Sequence, residues 1–190
     1  MQLFQDRGQR PPPSKMRLSQ GELRLQKDLD ELSFSRLSVG TTGVRIHFPN
    51  HYVDGKKSNF VCSISPQEGF YRGGTFDFQF CVSSSYPFSP PDVTCTTQVF
   101  HPNINLNNGE INLPLLTKDW KPIWSINTVV YGLQLLFVEP NLDNVANEEC
   151  AALLRTGSRE RFDQAVQQTL DGGTLNGVNW HRNRLGETLV

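Results

Sequence analysis

The sequence predicts an α+β domain, and three observations carry that prediction. Four period-two apolar runs follow one another between residues 44 and 95, a long irregular stretch covers 97–124, and three helical segments come after it. Strands and helices segregated along a chain point to α+β layers rather than to alternating βα units.

Residues 1–17 read as a flexible arm, because Pro11-Pro12-Pro13-Ser14-Lys15 cannot propagate a helix and favours an extended spacer. Arg7, Arg10, Lys15 and Arg17 make the arm locally basic against Asp6 alone, as in a solvated tail. Within it Met1, Leu3 and Phe4 have no periodic core to join. Two readings fit them: incidental exposure, or a docking peptide that orders on a partner. A core domain is expected over 18–175, with a tail over 176–190 in which Trp180 is the main core candidate.

The first helix is expected to start at Ser19, since Ser19-Gln20-Gly21-Glu22 has the form of a capping box. Leu18, Leu25, Leu29 and Leu32 share one face of it. Alternation then sets in with Val44, Ile46 and Phe48, and again with Phe60, Cys62 and Ile64. Phe76, Phe78, Phe80 and Val82 form the third run, and Val93 and Cys95 mark a shorter fourth. Turn residues at Pro66, Gly69 and Gly73-Gly74 bound these runs, which predicts a four-stranded antiparallel meander with one buried face. Ser125 caps a run from Ile126 to Val138 that is apolar almost all round, the mark of a helix buried on several sides. One further helix covers about Asn147 to Leu154. The last is capped by Ser158 and carries Phe162, Ala165, Val166 and Leu170.

Hydrophobic residues at 37% and charged residues at 19% describe a soluble globular chain. A formal charge of −1 and a pI of about 6.4 argue against a dedicated nucleic-acid binder. No apolar run has the length of a membrane span, and the N-terminus lacks a signal-peptide core. A cytoplasmic and nuclear location is the expectation. Cys62, Cys81, Cys95 and Cys150 lie far apart without a CxxC, so no zinc site is expected. The first three fall in strand-like runs and read as buried small hydrophobes rather than disulfide partners.

Irregular stretches as long as 97–124 are uncommon inside a compact domain and tend to be functional. This one holds His101-Pro102-Asn103, then Gly109-Glu110-Ile111-Asn112-Leu113, then Asp119-Trp120-Lys121-Pro122. Upstream, Tyr86-Pro87-Phe88-Ser89-Pro90-Pro91 closes the third run. In this order the motifs resemble the ubiquitin-conjugating enzyme family from about residue 19 to 170. Other segments are similar to its neddylation branch, which conjugates a Nedd/Rub-type modifier to cullins. They are Pro66-Gln67-Glu68-Gly69-Phe70-Tyr71, Tyr131-Gly132-Leu133-Gln134, Phe137-Val138-Glu139-Pro140-Asn141, Gly172-Gly173 and the arm opening with Met1, Leu3 and Phe4.

The resemblance implies the ubiquitin-conjugating enzyme fold and a transferase. The modifier would arrive as a thioester from its heterodimeric activating enzyme, which is where ATP is used, so no cofactor is expected on this chain. By resemblance Asn103 is the amide that stabilises the tetrahedral oxyanion, a contribution of roughly 3 kcal/mol. An asparagine that pins the loop is the other reading. His101 belongs to the same motif and reads as loop architecture. The family's cysteine nucleophile falls at Asn112, whose neutral amide offers no thiolate. An engineered substitution and a natural inactive homologue both fit that residue. The loop is one residue longer than the family's usual pattern, with Asn107-Asn108 as the insertion. Asn144, with Asp143 beside it, matches a position that orients the incoming lysine, and a helix-entry turn fits the same residues.

Partners follow by resemblance too. A RING ligase, with its cullin, would grip Phe88 and Pro122-Ile123, although Phe88 also fits as a core residue at the strand end. Met1, Leu3 and Phe4 would dock on the activating enzyme and on a cullin-neddylation co-ligase. A catalytically silent binding module, or a ubiquitin or SUMO conjugating enzyme, are the alternatives. No nucleic-acid or membrane partner is expected.

Overall fold

The computed structural model describes residues 19–34, 43–48, 59–156 and 158–184. Helix α1 (Gln20–Phe34) leads into strands β1 (Gly43–His47), β2 (Asn59–Ser65), β3 (Phe76–Cys81) and β4 (Asp92–Cys95). A 3-10 turn (Pro114–Leu116) and helices α2 (Ile126–Val138), α3 (Glu148–Arg155) and α4 (Arg159–Asp171) follow. The four strands pair in sequence order and antiparallel, as the alternating runs predict.

Register explains the buried face. Phe60 opposes Phe80, Cys62 opposes Phe78 and Ile64 opposes Phe76, so one side of the pleat is almost wholly aromatic and aliphatic. All six are fully buried, and the Phe60 and Phe80 rings stack at 4.7 Å. Cys81 departs from the expected burial: it is one residue out of phase with Phe76, Phe78 and Phe80, lands on the opposite face and is exposed. The other three cysteines are buried, and all four are free.

Helix α2 covers that face. Phe137 stacks on Phe76 at 4.5 Å and meets Tyr71 edge-on. The Ser125 capping box is formed with Thr128 as its partner. Burial of α2 is less complete than its composition suggests, for Tyr131, Leu135 and Val138 make an i, i+4, i+7 stripe open to solvent. On α1, Leu25, Leu29 and Leu32 are buried, and Ser19 and Glu22 exchange the two capping-box hydrogen bonds at 3.2 and 2.7 Å. Asn147 and Ser158 cap α3 and α4.

After α4 comes a hairpin that the sequence reading leaves out. Strands β5 (Gly173–Leu175) and β6 (Val178–Trp180) pair antiparallel across Asn176-Gly177, both at positive φ (52° and 78°). Asn-Gly is the preferred pair for such two-residue turns. The hairpin crosses residue 175, where the sequence places the end of the core. Trp180 is 6% exposed and packs edge-on against Phe100. Asn183 accepts from the Thr75 N–H, and Arg184 pairs with Asp171, so the packed chain runs on to residue 184. Among the described residues no helix is long and apolar enough to cross a membrane.

Candidate active site

The stretch 97–124 is less irregular than its composition suggests. Isolated bridges join Thr94 to Glu110 and Ile104 to Ile111, adding a narrow hairpin beside β4. Gly109 makes this possible: its φ is +69°, and a Cβ there would lie 2.0 Å from the Cys95 carbonyl oxygen. Its own carbonyl accepts from the Cys95 N–H at 2.9 Å. Asn107 and Asn108 sit exposed in the turn, where the Asn105 and Asn108 side chains accept from the N–H groups of Asn107 and Glu110. The extra residue is thus absorbed above the Ile104–Ile111 bridge and does not separate residue 112 from residue 103.

Each residue of His101-Pro102-Asn103 is buried and anchors something different. The His101 ring donates from Nε2 to the Leu136 carbonyl at 3.0 Å, and its Nδ1 accepts from the Asn103 N–H at 3.0 Å. Those two partners select the neutral Nε2–H tautomer, and burial pushes the ring's pKa down to about 4. So enclosed, the ring ties the loop to α2 through the Leu136 carbonyl. The Pro102 carbonyl accepts from the N–H groups of Ala146 and Asn147 at 2.7 and 2.9 Å.

Asn103 is fully committed. Its Nδ2 donates to the carbonyls of Asn141 and Asn144, both at 2.6 Å, and its Oδ1 accepts from the Asn141 N–H at 2.9 Å. With the residue completely buried, neither amide hydrogen is left for an oxyanion. In this conformation Asn103 is the loop pin, and donation to a reacting carbonyl requires it to release Asn141 or Asn144.

Asn112 is exposed. Its main-chain N–H donates to the Asn103 carbonyl at 2.8 Å, and its Nδ2 reaches the Val145 carbonyl at 3.3 Å. Residues 103 and 112 are therefore neighbours whose side chains reach the consecutive carbonyls of Asn144 and Val145. Asn144 is half-buried and joined to the site through its carbonyl. Asp143 is exposed, and its N–H donates to the Asn141 side chain at 2.8 Å, the helix-entry turn that Asn and Asp favour. None of the four cysteines lies in the 101–113 segment that holds residue 112. Burial pushes the Cys62 and Cys95 thiols up to about 12 and raises that of Cys150 as well, while Cys81 closes β3.

The chain is similar to known proteins over most of its length. The family model described as "Ubiquitin-conjugating enzyme" matches residues 24–170. The chain belongs to the ubiquitin-conjugating enzyme family. It is 42% identical over 168 residues to the Nedd8-conjugating enzyme UbcE2M of Drosophila melanogaster, covering 88% of this chain and 87% of that one. A NEDD8-conjugating enzyme of Arabidopsis thaliana is 44% identical over 155 residues, 82% of this chain and 79% of the relative. The solved structure of S. cerevisiae Ubc12 superposes with a TM-score of 0.76 at 32% identity, covering 88% of each chain.

In this conjugating-enzyme fold a second group of residues forms around two loops. Phe88 is 81% exposed and Ile123 80% exposed, so Phe88 is not a core residue at the strand end, and Pro122 is exposed beside Ile123. The Trp120 indole N–H donates to the Pro87 carbonyl at 2.8 Å and ties the loops together. The sequence reading missed Arg24 and Asp28, which tie both loops to α1. A signal was available: Asp28 is a carboxylate on the apolar face, between Leu25 and Leu32. Met1, Leu3 and Phe4 lie outside the described residues.

Proposed function

We propose that this chain is a conjugating enzyme of the neddylation type, built to carry a NEDD8-like modifier to lysines of cullins, with its transfer site blocked at residue 112. The supporting observation is the pairing of an exposed residue 112 with the pinned segment 141–145, in a chain whose relatives include several NEDD8-conjugating enzymes. A cysteine at 112 would take the modifier's C-terminal carbonyl from the activating enzyme, where ATP is spent. A lysine amine would then attack the thioester carbonyl, the tetrahedral oxyanion would collapse, and the thiolate would leave as an isopeptide bond forms. Asn112 forms no thioester, because its amide nitrogen lone pair is delocalised and there is no thiol to ionise. Asn103 serves this chemistry by fixing the 141–145 wall. Asn144, or Asp143 exposed beside it, would orient the incoming lysine.

Phe88, Pro122 and Ile123 would present a shallow apolar surface to a RING ligase on its cullin. Met1, Leu3 and Phe4 would engage the activating enzyme and the co-ligase. One observation favours a second reading: the Asn112 amide bonds Val145, so the residue is built into the site rather than left idle. A silent module that occupies a ligase without transferring a modifier has the same surfaces. The test is Asn112→Cys with NEDD8, ubiquitin or SUMO, each with its own activating enzyme and ATP. A thiol-reducible adduct with NEDD8 alone supports the proposal. An adduct only with another modifier, or with none, contradicts it.

A further inference from the structure

The geometry points to Arg24 as a positioning residue for the ligase-docking surface: from α1 it fixes the 122–124 turn and, through Asp28, ties that turn to the loop bearing Phe88. This rests on the reading of Phe88, Pro122 and Ile123 as a docking surface. The Arg24 guanidinium donates from Nη2 to the Trp124 and Ile123 carbonyls at 2.9 and 3.3 Å, and from Nη1 to the Pro122 carbonyl at 3.4 Å. Its Nε donates to Asp28 Oδ1 at 2.9 Å. A planar fork can span three consecutive carbonyls and a carboxylate at once, whereas the point charge of a lysine cannot.

Asp28 carries the connection onward. It is 2% exposed, and a carboxylate so buried needs every lone pair met. Its Oδ2 accepts from the Tyr86 hydroxyl and from the Ile126 N–H that opens α2. Gly21 removes the slack on the same side, since a Cβ there would lie 2.5 Å from the Tyr86 carbonyl oxygen. With Trp120 bonded to Pro87, the backbones beneath Phe88 and Ile123 are both fixed to one helix. An exposed apolar pair binds well only if its backbone is ordered beforehand, because ordering it during association subtracts from affinity.

The experiment is calorimetric titration of the full chain with a purified RING domain from a cullin ligase. Arg24→Ala is expected to weaken binding about tenfold and Arg24→Lys at least fivefold. The lysine variant keeps a cation beside Asp28 and carries the test if the alanine variant fails to fold. Arg24 is 29% exposed, so a direct contact with the ligase has to be separated from positioning. In an Ile123→Ala background the Arg24 substitutions are expected to cost clearly less than in the unaltered chain, because one of the side chains they position is gone. Equal losses in both backgrounds, or native affinity for Arg24→Lys, would overturn the inference. If Phe88→Ala and Ile123→Ala both bind like the unaltered chain, the docking reading fails, and the inference fails with it.

Discussion

The main-chain N–H of Asn112 donates to the carbonyl of Asn103 at 2.8 Å, which sets the position of residue 112 against a residue that is itself immobilised. Asn103 holds segment 141–144 through three side-chain hydrogen bonds, so the floor and one wall of the site form a unit. Asn103→Ala is expected to lower stability by about 3 kcal/mol, because it strands two carbonyls and one N–H at a buried point. Asn103→Asp is expected to do no better, since it turns a carboxylate oxygen toward two carbonyls. Urea midpoints measure the loss, and amide exchange over residues 141–147 locates it.

The neutrality of His101 gives the fold a pH dependence of defined sign. Its folded pKa of about 4 lies below the unfolded 6.5, so the unfolded chain binds the extra proton first as pH falls. The His101 contribution is complete above pH 6.5 and drains away as pH drops toward 4, by up to about 3 kcal/mol. Urea unfolding at intervals across that range should show stability falling with acid. His101→Gln should be less stable at neutral pH yet show a shallower slope.

Residues 176–184 belong to the packed domain. Truncation after Leu175 removes Trp180 from the core and the Arg184–Asp171 pair from the end of α4. Trp180→Ala alone is expected to cost about 3 kcal/mol as a large-to-small core change. Deletion of 176–190 should cost at least as much. Both are read from thermal melts, and a truncated chain as stable as the full one would disprove the assignment.

Phe88→Ala and Ile123→Ala should separate binding from folding. Each side chain is about four-fifths exposed, so its loss should move the melting temperature by less than about 1 °C. Binding to a RING domain should weaken about tenfold, as for an exposed apolar anchor at the centre of an interface.

Much of this was legible before any coordinates, for reasons that particular residues make plain. Phe60, Cys62, Ile64, Phe76, Phe78 and Phe80 keep strict alternation because one sheet face is buried, and the register then pairs them directly. Ser19, Ser125 and Ser158 mark helix starts because a hydroxyl there satisfies an otherwise orphaned N–H. The Asn176-Gly177 hairpin was missed because three-residue strands give too short an alternation, although the dipeptide itself signals the turn. The role of Asn103 could not be read from its motif. Whether an asparagine amide faces solvent or two carbonyls depends on a segment nearly forty residues further along. Asp28 is marked in the sequence as a carboxylate on an apolar face, but the partners it shares with Arg24 are not, since the 86–88 and 122–124 loops meet only in three dimensions.

The most direct test is a single-turnover experiment on Asn112→Cys: load it with NEDD8 through the activating enzyme, quench ATP, add free lysine, and follow the thioester. The expected result is rapid formation of a thiol-sensitive adduct, followed by its discharge to NEDD8-lysine, with no adduct on the unaltered chain. A cysteine at 112 that stays unloaded while the protein remains folded would contradict the claim that this site lacks only its nucleophile.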